Sequence, residues 1–148
     1  MSDEKKPSIF YWLLFWGLAL LFLAWNAFGC YLYIMDQTMT DAAYIELYGA
    51  DMANVRAKYP VWSTAAYATA VWGGLLAALM LILRKGLAVL LFVLSLVAAI
   101  VSFVWGLTNE EALAAAGETA WVMPAIVVGL GLFEVVWSAI QKRKGTIG

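Results

Sequence analysis

PVWSTAAYATAVWGGLLAALMLILRKG, residues 60–86, is the stretch that decides the fold of this chain. From residue 61 to residue 83 it carries no charged side chain, and about 20 apolar residues in a helix are enough to cross a bilayer core. The run stops at Arg84-Lys85-Gly86, and a second apolar run begins directly afterwards. Because the connection is only three residues long, the two runs must be antiparallel neighbours. The stretch therefore predicts a helical hairpin inside a membrane.

Small side chains recur at every fourth position along the first arm of this hairpin. Residues four apart lie on one face of a helix, and small residues at a membrane helix interface let two backbones approach closely. The second arm carries a similar face. The predicted helix-packing residues of the two arms are Ala66, Ala70, Gly74, Ala78, Ser95, Ala99 and Ser102.

The composition of the whole chain is that of a membrane protein. Of its 148 residues, 65% are hydrophobic and 13% are charged, whereas soluble domains average about 45–50% apolar and about 25% charged residues. Its long apolar runs predict spans at about 9–35, 61–83, 87–107 and 119–141 in a single membrane domain, 1–148. The first run exceeds the roughly 7–15 apolar residues of a cleaved signal. We therefore predict an all-α, integral membrane four-helix bundle in contact with the lipid bilayer.

The distribution of basic residues predicts the orientation of this bundle. Apart from Arg56 and Lys58, every Lys and Arg lies before the first span, in the turn at 84–86, or after residue 141. Four spans place these three segments on one side, and cytoplasmic segments are rich in Lys and Arg. Both termini are therefore predicted to be cytoplasmic. The residues concerned are Lys5, Lys6, Arg84, Lys85, Lys142, Arg143 and Lys144.

The longest loop, residues 36–60, has an amphipathic pattern. Thr40 or Asp41 is suited to cap a helix start, and Pro60 closes the segment. Gly49 weakens the middle. The pattern predicts a short amphipathic helix on the outer side, on the membrane surface or over the bundle mouth; the alternative is a loop with one or two helical turns. The apolar residues at helical spacing are Ile45, Tyr48, Met52, Val55 and Tyr59.

Glu134 is the one acidic residue within a predicted span. A carboxyl group inside a membrane is costly and is by default a functional hypothesis. One interpretation is a proton or cation site. The other is a structural acid that stays protonated or pairs with Arg84 or Lys85 at the same end of the bundle. Glu134 shares a helix face with Gly131, Ser138 and Gln141, which predicts that it points into the bundle.

Asn26 is the polar interruption of the first span, and Tyr67 lies at a similar depth in the second. Together with Glu134 they form the candidate intramembrane polar site. They predict either a polar pocket that opens outward or interhelical hydrogen bonds, which contribute about 0.6 kcal/mol each in membranes. Ser63, Thr64 and Ser102 lie at similar depths.

Several classes of function are disfavoured by what the sequence lacks. The chain has no histidine and one cysteine, Cys30, so zinc sites made of His and Cys clusters and His-dependent catalytic triads are excluded. No nucleotide-binding or hydrolase motif is present. We therefore predict no catalytic, metal-binding or cofactor-binding residues, and a protein that is not an enzyme. The net charge is −1, without the basic tract that nucleic-acid binding requires.

Four short motifs resemble those of a bacterial family of small membrane proteins. They are Trp25-Asn26 followed by Gly29, Pro60 followed by Trp62, Trp72-Gly73-Gly74, and Leu94-Ser95-Leu96. Members of this family have about 150 residues and four spans, and they are often labelled sugar transporters. The resemblance implies the four-span architecture, the bacterial inner membrane and, as an expectation, solute transport.

The sequence predicts one function and leaves a second open as the alternative. The first is a non-catalytic accessory subunit that lends its helices to a larger membrane assembly, by contact with other subunits or by self-association. The second is an oligomeric carrier of a small solute, such as a sugar. The small size and the small-residue faces favour the first, and an outward pocket would favour the second.

Overall fold

The computed structural model describes residues 8–148, so Lys5 and Lys6, used above to predict the orientation, lie outside the described residues. Within 8–148 the chain is helical and has no strand. Its elements are α1 (Ile9–Thr38), α2 (Asp41–Tyr48), α3 (Ala50–Ala57), α4 (Val61–Ile82), α5 (Leu87–Thr108), α6 (Glu110–Ala116), a 3₁₀ helix (Gly117–Trp121) and α7 (Val122–Arg143). The predicted all-α bundle with four spans is confirmed, because four of these helical segments are long and apolar enough to cross a membrane.

The helix boundaries depart from the predicted spans by three residues at two places and by at most two residues elsewhere. α1 continues past residue 35 to Thr38, whose hydroxyl donates a 2.8 Å hydrogen bond to the Ile34 carbonyl. The fourth span was predicted from residue 119, but there the chain is still a 3₁₀ helix, and α7 starts at Val122. Pro124 therefore lies in the first turn of α7. Backbone N–H groups in a first turn make no intrahelical hydrogen bond, so proline, which lacks this group, is tolerated there.

The four spanning helices form a ring in the order α1, α4, α5, α7. α4 and α5 pack most extensively, followed by α1 with α4 and α5 with α7. α1 and α7 pack less closely than these pairs. They meet through side chains, among them Phe22 and Phe133, whose rings are edge to face at 5.5 Å. The ring therefore has three close helix interfaces and one loose one.

One half of the bundle, which we call the terminal half, has a filled apolar core. It contains the start of α1, the α4–α5 turn and the C-terminus. Large and small side chains alternate here, so that rings and leucines fit against alanines, and Phe22 packs edge to face on Phe92 at 6.1 Å. The core cluster consists of Phe15, Ala19, Phe22, Ala77, Ala78, Leu81, Ala88, Phe92 and Ile147.

The α4–α5 turn is closed by a hydrogen-bonding pattern typical of helix C-termini. Arg84 has a positive φ of 57°, and the amide of Lys85 donates a 2.8 Å bond back to the Met80 carbonyl. This left-handed residue lets the chain reverse within three residues. Gly86 follows, and α5 begins at once.

The C-terminal residues fold back onto this turn, which the sequence pattern did not indicate. Gly145, at φ 70°, ends α7 and redirects the chain. The amide of Gly148 then donates to the Arg84 carbonyl at 3.0 Å, and the Gly86 amide donates to the Gly148 carbonyl at 2.6 Å. Ile147 is 2% exposed and joins the core cluster. The segment after α7 thus seals the terminal half.

The predicted helix-packing residues lie where α4 meets its two neighbours. On α4, Ala70, Gly74 and Ala78 are buried and Ala66 is half-buried; on α5, Ala99 and Ser102 are buried and Ser95 is half-buried. A side chain on Gly74 would overlap the amide oxygen of Asn26 on α1 and come within 3.0 Å of the Ser95 hydroxyl on α5. The small face of α4 therefore allows close approach on both sides.

The opposite half, the loop half, is covered by short helices. The predicted amphipathic segment is helical, but Gly49 divides it into α2 and α3, because its φ of 88° is accessible to glycine and strained for other residues. The Thr40 hydroxyl caps α2 by accepting a 3.3 Å bond from the Ala43 amide. α3 packs against α6, and Asn109 caps α6 by accepting from the Ala112 amide at 3.0 Å.

Candidate functional site

The loop half encloses a cavity of about 690 Å³. All four spanning helices contribute to its walls, and α2 and α3 lie at its mouth. Its floor is formed by Asn26 and Glu134, at the boundary with the filled terminal half. Pockets that bind small molecules typically measure about 300–1,000 Å³ and are mainly apolar with a few placed polar groups. In size and lining this cavity belongs to that class.

The floor is a hydrogen-bonded pair that joins the two loosely packed helices. The Asn26 side-chain nitrogen donates to a carboxylate oxygen of Glu134 at 2.6 Å and to the Phe22 carbonyl at 2.9 Å. Both residues are buried, at 8% and 5% exposure. The interpretation that Glu134 pairs with Arg84 or Lys85 does not match this geometry. Glu134 lies about 13 Å of helix from the end of α7, and Arg84 instead lies over the Phe15 ring at 5.5 Å.

α7 presents its polar side chains to the bundle and its apolar side chains outward. Its buried residues are Glu134, Ser138 and Gln141, whereas Leu132 and Val136 are more than half exposed. In a bilayer this is the expected arrangement, since exposed apolar groups face lipid and polar groups find partners inside the bundle. Gly131 is half-buried on the same face, and a side chain there would press on Leu96 at 2.9 Å.

The serines on the cavity walls bind backbone carbonyls. Ser95 donates to the Ala70 carbonyl at 2.7 Å and Ser63 to the Ser102 carbonyl at 2.8 Å, so both join α4 to α5. Ser102 donates to the Ala99 carbonyl within its own helix at 2.7 Å. All three serines line the cavity, and Ser63 and Ser95 also join its walls, so the two alternatives predicted from the sequence, a pocket or interhelical hydrogen bonds, do not exclude each other.

Tyr67 lines the wall above the floor, and its ring meets that of Tyr33 edge to face at 5.2 Å. Thr64 lines the same wall one turn nearer the mouth. Cys30 is buried behind this wall, where its thiol donates to the Val71 carbonyl at 3.3 Å. The structure thus places Asn26, Tyr67 and Glu134 around one cavity, with Asn26 and Glu134 in direct contact.

Arg56 organises the mouth, a role that sequence reasoning missed. Its guanidinium donates to the backbone carbonyls of Asp36 and Met39 at the end of α1. It also lies 3.8 Å from the Asp36 carboxylate and 4.5 Å from the centre of the Tyr44 ring. These contacts fasten α3 and α2 to α1. The signal in the sequence is that Arg56 and Lys58 are the two basic residues of a loop that otherwise carries only acidic charges.

Two tyrosines beside Arg56 stay neutral. Burial raises the pKa of Tyr44, the Asp36 carboxylate raises it further, and the Arg56 guanidinium lowers it in part. Burial and then Asp36 also raise the pKa of Tyr59. Since an unperturbed tyrosine has a pKa of about 10, both hydroxyls remain protonated at physiological pH. The charges at the mouth are therefore the guanidinium of Arg56 and the carboxylates of Asp36 and Asp41, which lie 3.8 and 3.7 Å from it.

Between α1 and α7 the cavity extends to residues that are themselves exposed. Phe28 on α1 and Met123 on α7 line the cavity and are 51% and 47% exposed. This is the loose interface of the ring. In a bilayer the cavity is therefore bordered on this side by lipid-facing side chains as well as by α2 and α3 at its mouth.

The part of the chain from residue 8 to residue 148 contains no group of three or more His, Cys, Asp or Glu placed to hold a metal ion. Compared with protein-family models, curated proteins and solved structures, the chain matches none of them.

Proposed function

We propose that this multi-pass membrane protein binds a small solute in the loop-half cavity and carries it across a bacterial inner membrane as an oligomer, without chemical conversion. The observation that carries the proposal is the cavity of about 690 Å³, which runs from the surface helices to the buried Asn26–Glu134 pair. By the positive-inside rule the loop half faces outward, so the solute enters from the outer side.

Two further features support a carrier. The cavity floor lies near the middle of α1 and α7, and transporters place their sites near the bilayer midplane. Below the floor, the terminal half is filled, so the cavity is closed toward the terminal side of the membrane, as in one state of an alternating-access cycle. The carrier is proposed to work as an oligomer because one chain of four spans supplies few helices to move against one another during alternating access.

An accessory subunit is the alternative, and it rests on the small size and on the apolar outer faces of the helices. Lipid covers such faces as well as a protein partner does, so they do not distinguish the two functions. A subunit that acts only through its outer surface has no need of an interior cavity. The cavity therefore favours the carrier.

A pair of matched tryptophan substitutions tests the proposal. Val127 lines the cavity and Val136, on the same helix, is 54% exposed. We expect some member of a small-solute panel to raise the thermal unfolding temperature of the native protein in nanodiscs and of Val136→Trp, but not of Val127→Trp. The same solute should enter proteoliposomes in a saturable way.

Two results would contradict the proposal. One is a panel in which no solute stabilises the native protein or is transported. The other is gentle purification from the native membrane in which a larger protein accompanies the chain in fixed stoichiometry and Val127→Trp leaves that complex and its activity unchanged. The second result would favour the accessory subunit.

A further inference from the structure

We infer that the solute is an organic cation, a protonated amine with an apolar body whose ammonium group binds Glu134 on the cavity floor. The inference rests on the proposed function above and names the chemical class that the floor and walls select. It follows from three observations: the hydrogen-bonding capacity left at the floor, the charges around the cavity, and the character of its walls.

The polar groups at the floor have used their donors and kept acceptors. An Asn side chain has two N–H donors, and Asn26 directs them to the Phe22 carbonyl and the Glu134 carboxylate. The hydroxyl of Ser95, beside them, donates to the Ala70 carbonyl. What remains open to a ligand is the second carboxylate oxygen of Glu134 together with hydroxyl lone pairs. An ammonium group has donors and no acceptor, so it complements this floor.

The charges around the cavity also favour a cationic ligand. In the described residues no basic side chain forms an ion pair with Glu134; the ion pairs of this region belong to Arg56 and Lys58. Arg56 is fixed at the mouth by α1 carbonyls and two carboxylates. A buried carboxylate without a cationic partner is strongly disfavoured. A ligand with one positive charge supplies that partner, whereas an anion would be repelled.

The walls fit the rest of such a ligand. Above the floor the cavity is lined mainly by apolar and aromatic side chains, including Trp25, Phe92, Leu96 and Phe103. Apolar walls stabilise an apolar body, and aromatic faces also attract cations. A sugar presents hydroxyl groups in all directions and needs polar partners on every side, whereas most of this lining is apolar and its three serines already donate to backbone carbonyls. The neutral polyol expected from the resemblance therefore fits less well than an amine.

The test compares two ligands that differ in one group, 4-phenylbutylamine and 4-phenylbutanol, with glucose as a third probe. Equilibrium dialysis against the protein in nanodiscs of neutral lipid measures binding, and empty nanodiscs correct for partitioning. We expect the amine to bind at least about tenfold more tightly than the alcohol, as a charge-assisted hydrogen bond provides. Glu134→Gln should remove this preference, and Glu134→Asp, which keeps the charge, should restore most of it. Val127→Trp should abolish binding of the amine.

The outcomes separate this inference from the proposed function. If the alcohol or glucose binds as tightly as the amine and Val127→Trp abolishes that binding, the cavity is a solute site but the cationic ligand is refuted. If Glu134→Gln folds with native helicity and binds the amine unchanged, the inference is likewise refuted. If none of the three probes binds and no solute of the panel above binds either, the proposed function fails with it.

Discussion

The terminal half and the loop half are built from the same four helices, yet one is filled and the other is hollow. In the terminal half, Phe15, Phe22, Leu81 and Phe92 interlock with alanines. In the loop half, small residues such as Ala70, Ala99 and Ser102 take up part of the facing α4 and α5 surfaces, and a cavity remains between the four helices. The difference teaches that this chain concentrates its packing energy at one end and leaves room for a ligand at the other. Mutations in the two halves should therefore affect different properties.

The largest effect is expected at the boundary between the halves, from Gly74→Leu. Gly74 touches Asn26 on one side and Ser95 on the other, so a side chain there forces α4 away from α1 and α5 together. Overpacking costs about 1–3 kcal/mol at one interface and occasionally more, and because two interfaces are overpacked here we expect a loss of about 5 kcal/mol or more. Thermal unfolding in detergent measures the loss. The control is Gly129→Leu, since an added side chain at Gly129 meets no neighbour within 4 Å; equal stability of the two variants would refute the close packing.

The next largest effect is expected within the terminal half, from Leu81→Ala. Leu81 is fully buried, and truncating a buried leucine costs about 2–5 kcal/mol through lost contacts and the cavity left behind. The matched change in the loop half, Val127→Ala, should cost less than about 1 kcal/mol because the side chain already borders empty space. Denaturant unfolding measures the free energy of unfolding of both variants. A comparable loss in the two would contradict the difference between a filled and a hollow half.

A smaller effect is expected at the cavity floor. Asn26→Ala removes the partner of Glu134 and should lower stability by about 1–3 kcal/mol, since a buried polar group is left without a hydrogen bond. Glu134→Gln keeps an acceptor for Asn26 and should leave folding and abundance nearly unchanged. Thermal unfolding and membrane abundance of the two variants provide the measurement. Severe misfolding of Glu134→Gln would indicate that the carboxyl group is mainly structural.

The smallest effect on global stability is expected at the mouth, from Arg56→Ala. This change removes the contacts that fasten α3 to the end of α1 and to Tyr44, but it leaves the terminal half untouched. Hydrogen exchange should accelerate in α2 and α3 and remain unchanged in the core helices. Lys58→Ala is the control, because Lys58 pairs with Glu111 in an exposed position and exposed pairs contribute about 0–1 kcal/mol. Equal exchange in both variants would contradict this role of Arg56.

Much of the fold follows from local sequence patterns, whereas the partners at the floor do not. The spacing of Glu134, Ser138 and Gln141 correctly indicates that one face of α7 points inward, and the interruption of the first span at Asn26 marks a buried polar residue. Their contact depends on which helices are adjacent in the ring and at what level they meet. Periodicity along a single helix carries no information on either, so the sequence indicates Arg84 or Lys85 as a partner of Glu134 and does not indicate Asn26.

Single residues with a decisive contact were also beyond prediction. Arg56 lies in the segment predicted to be amphipathic, and its hydrogen-bond partners are the backbone carbonyls of Asp36 and Met39, which the identities of those residues do not indicate. Ile147 is one apolar residue between Thr146 and Gly148, too short a signal to predict burial. The break between α2 and α3 is partly predictable, because a glycine at position 49 weakens a helix. The positive φ of Gly49, which makes the break, is a property of the folded chain.

The docked C-terminus has a practical consequence for anyone who handles this protein. Gly148 is bonded through its amide and carbonyl to the α4–α5 turn, and Lys142 and Gly148 pack so closely on Gly86 that an added side chain there would meet both. An affinity tag joined directly after Gly148 would disturb the hydrogen bonds that hold the last residues, including Ile147, against the α4–α5 turn. Purification through the N-terminus, or through a tag preceded by a long flexible linker, should preserve the native seal. A cleavable C-terminal fusion, compared before and after cleavage, would reveal the difference as a change in melting temperature.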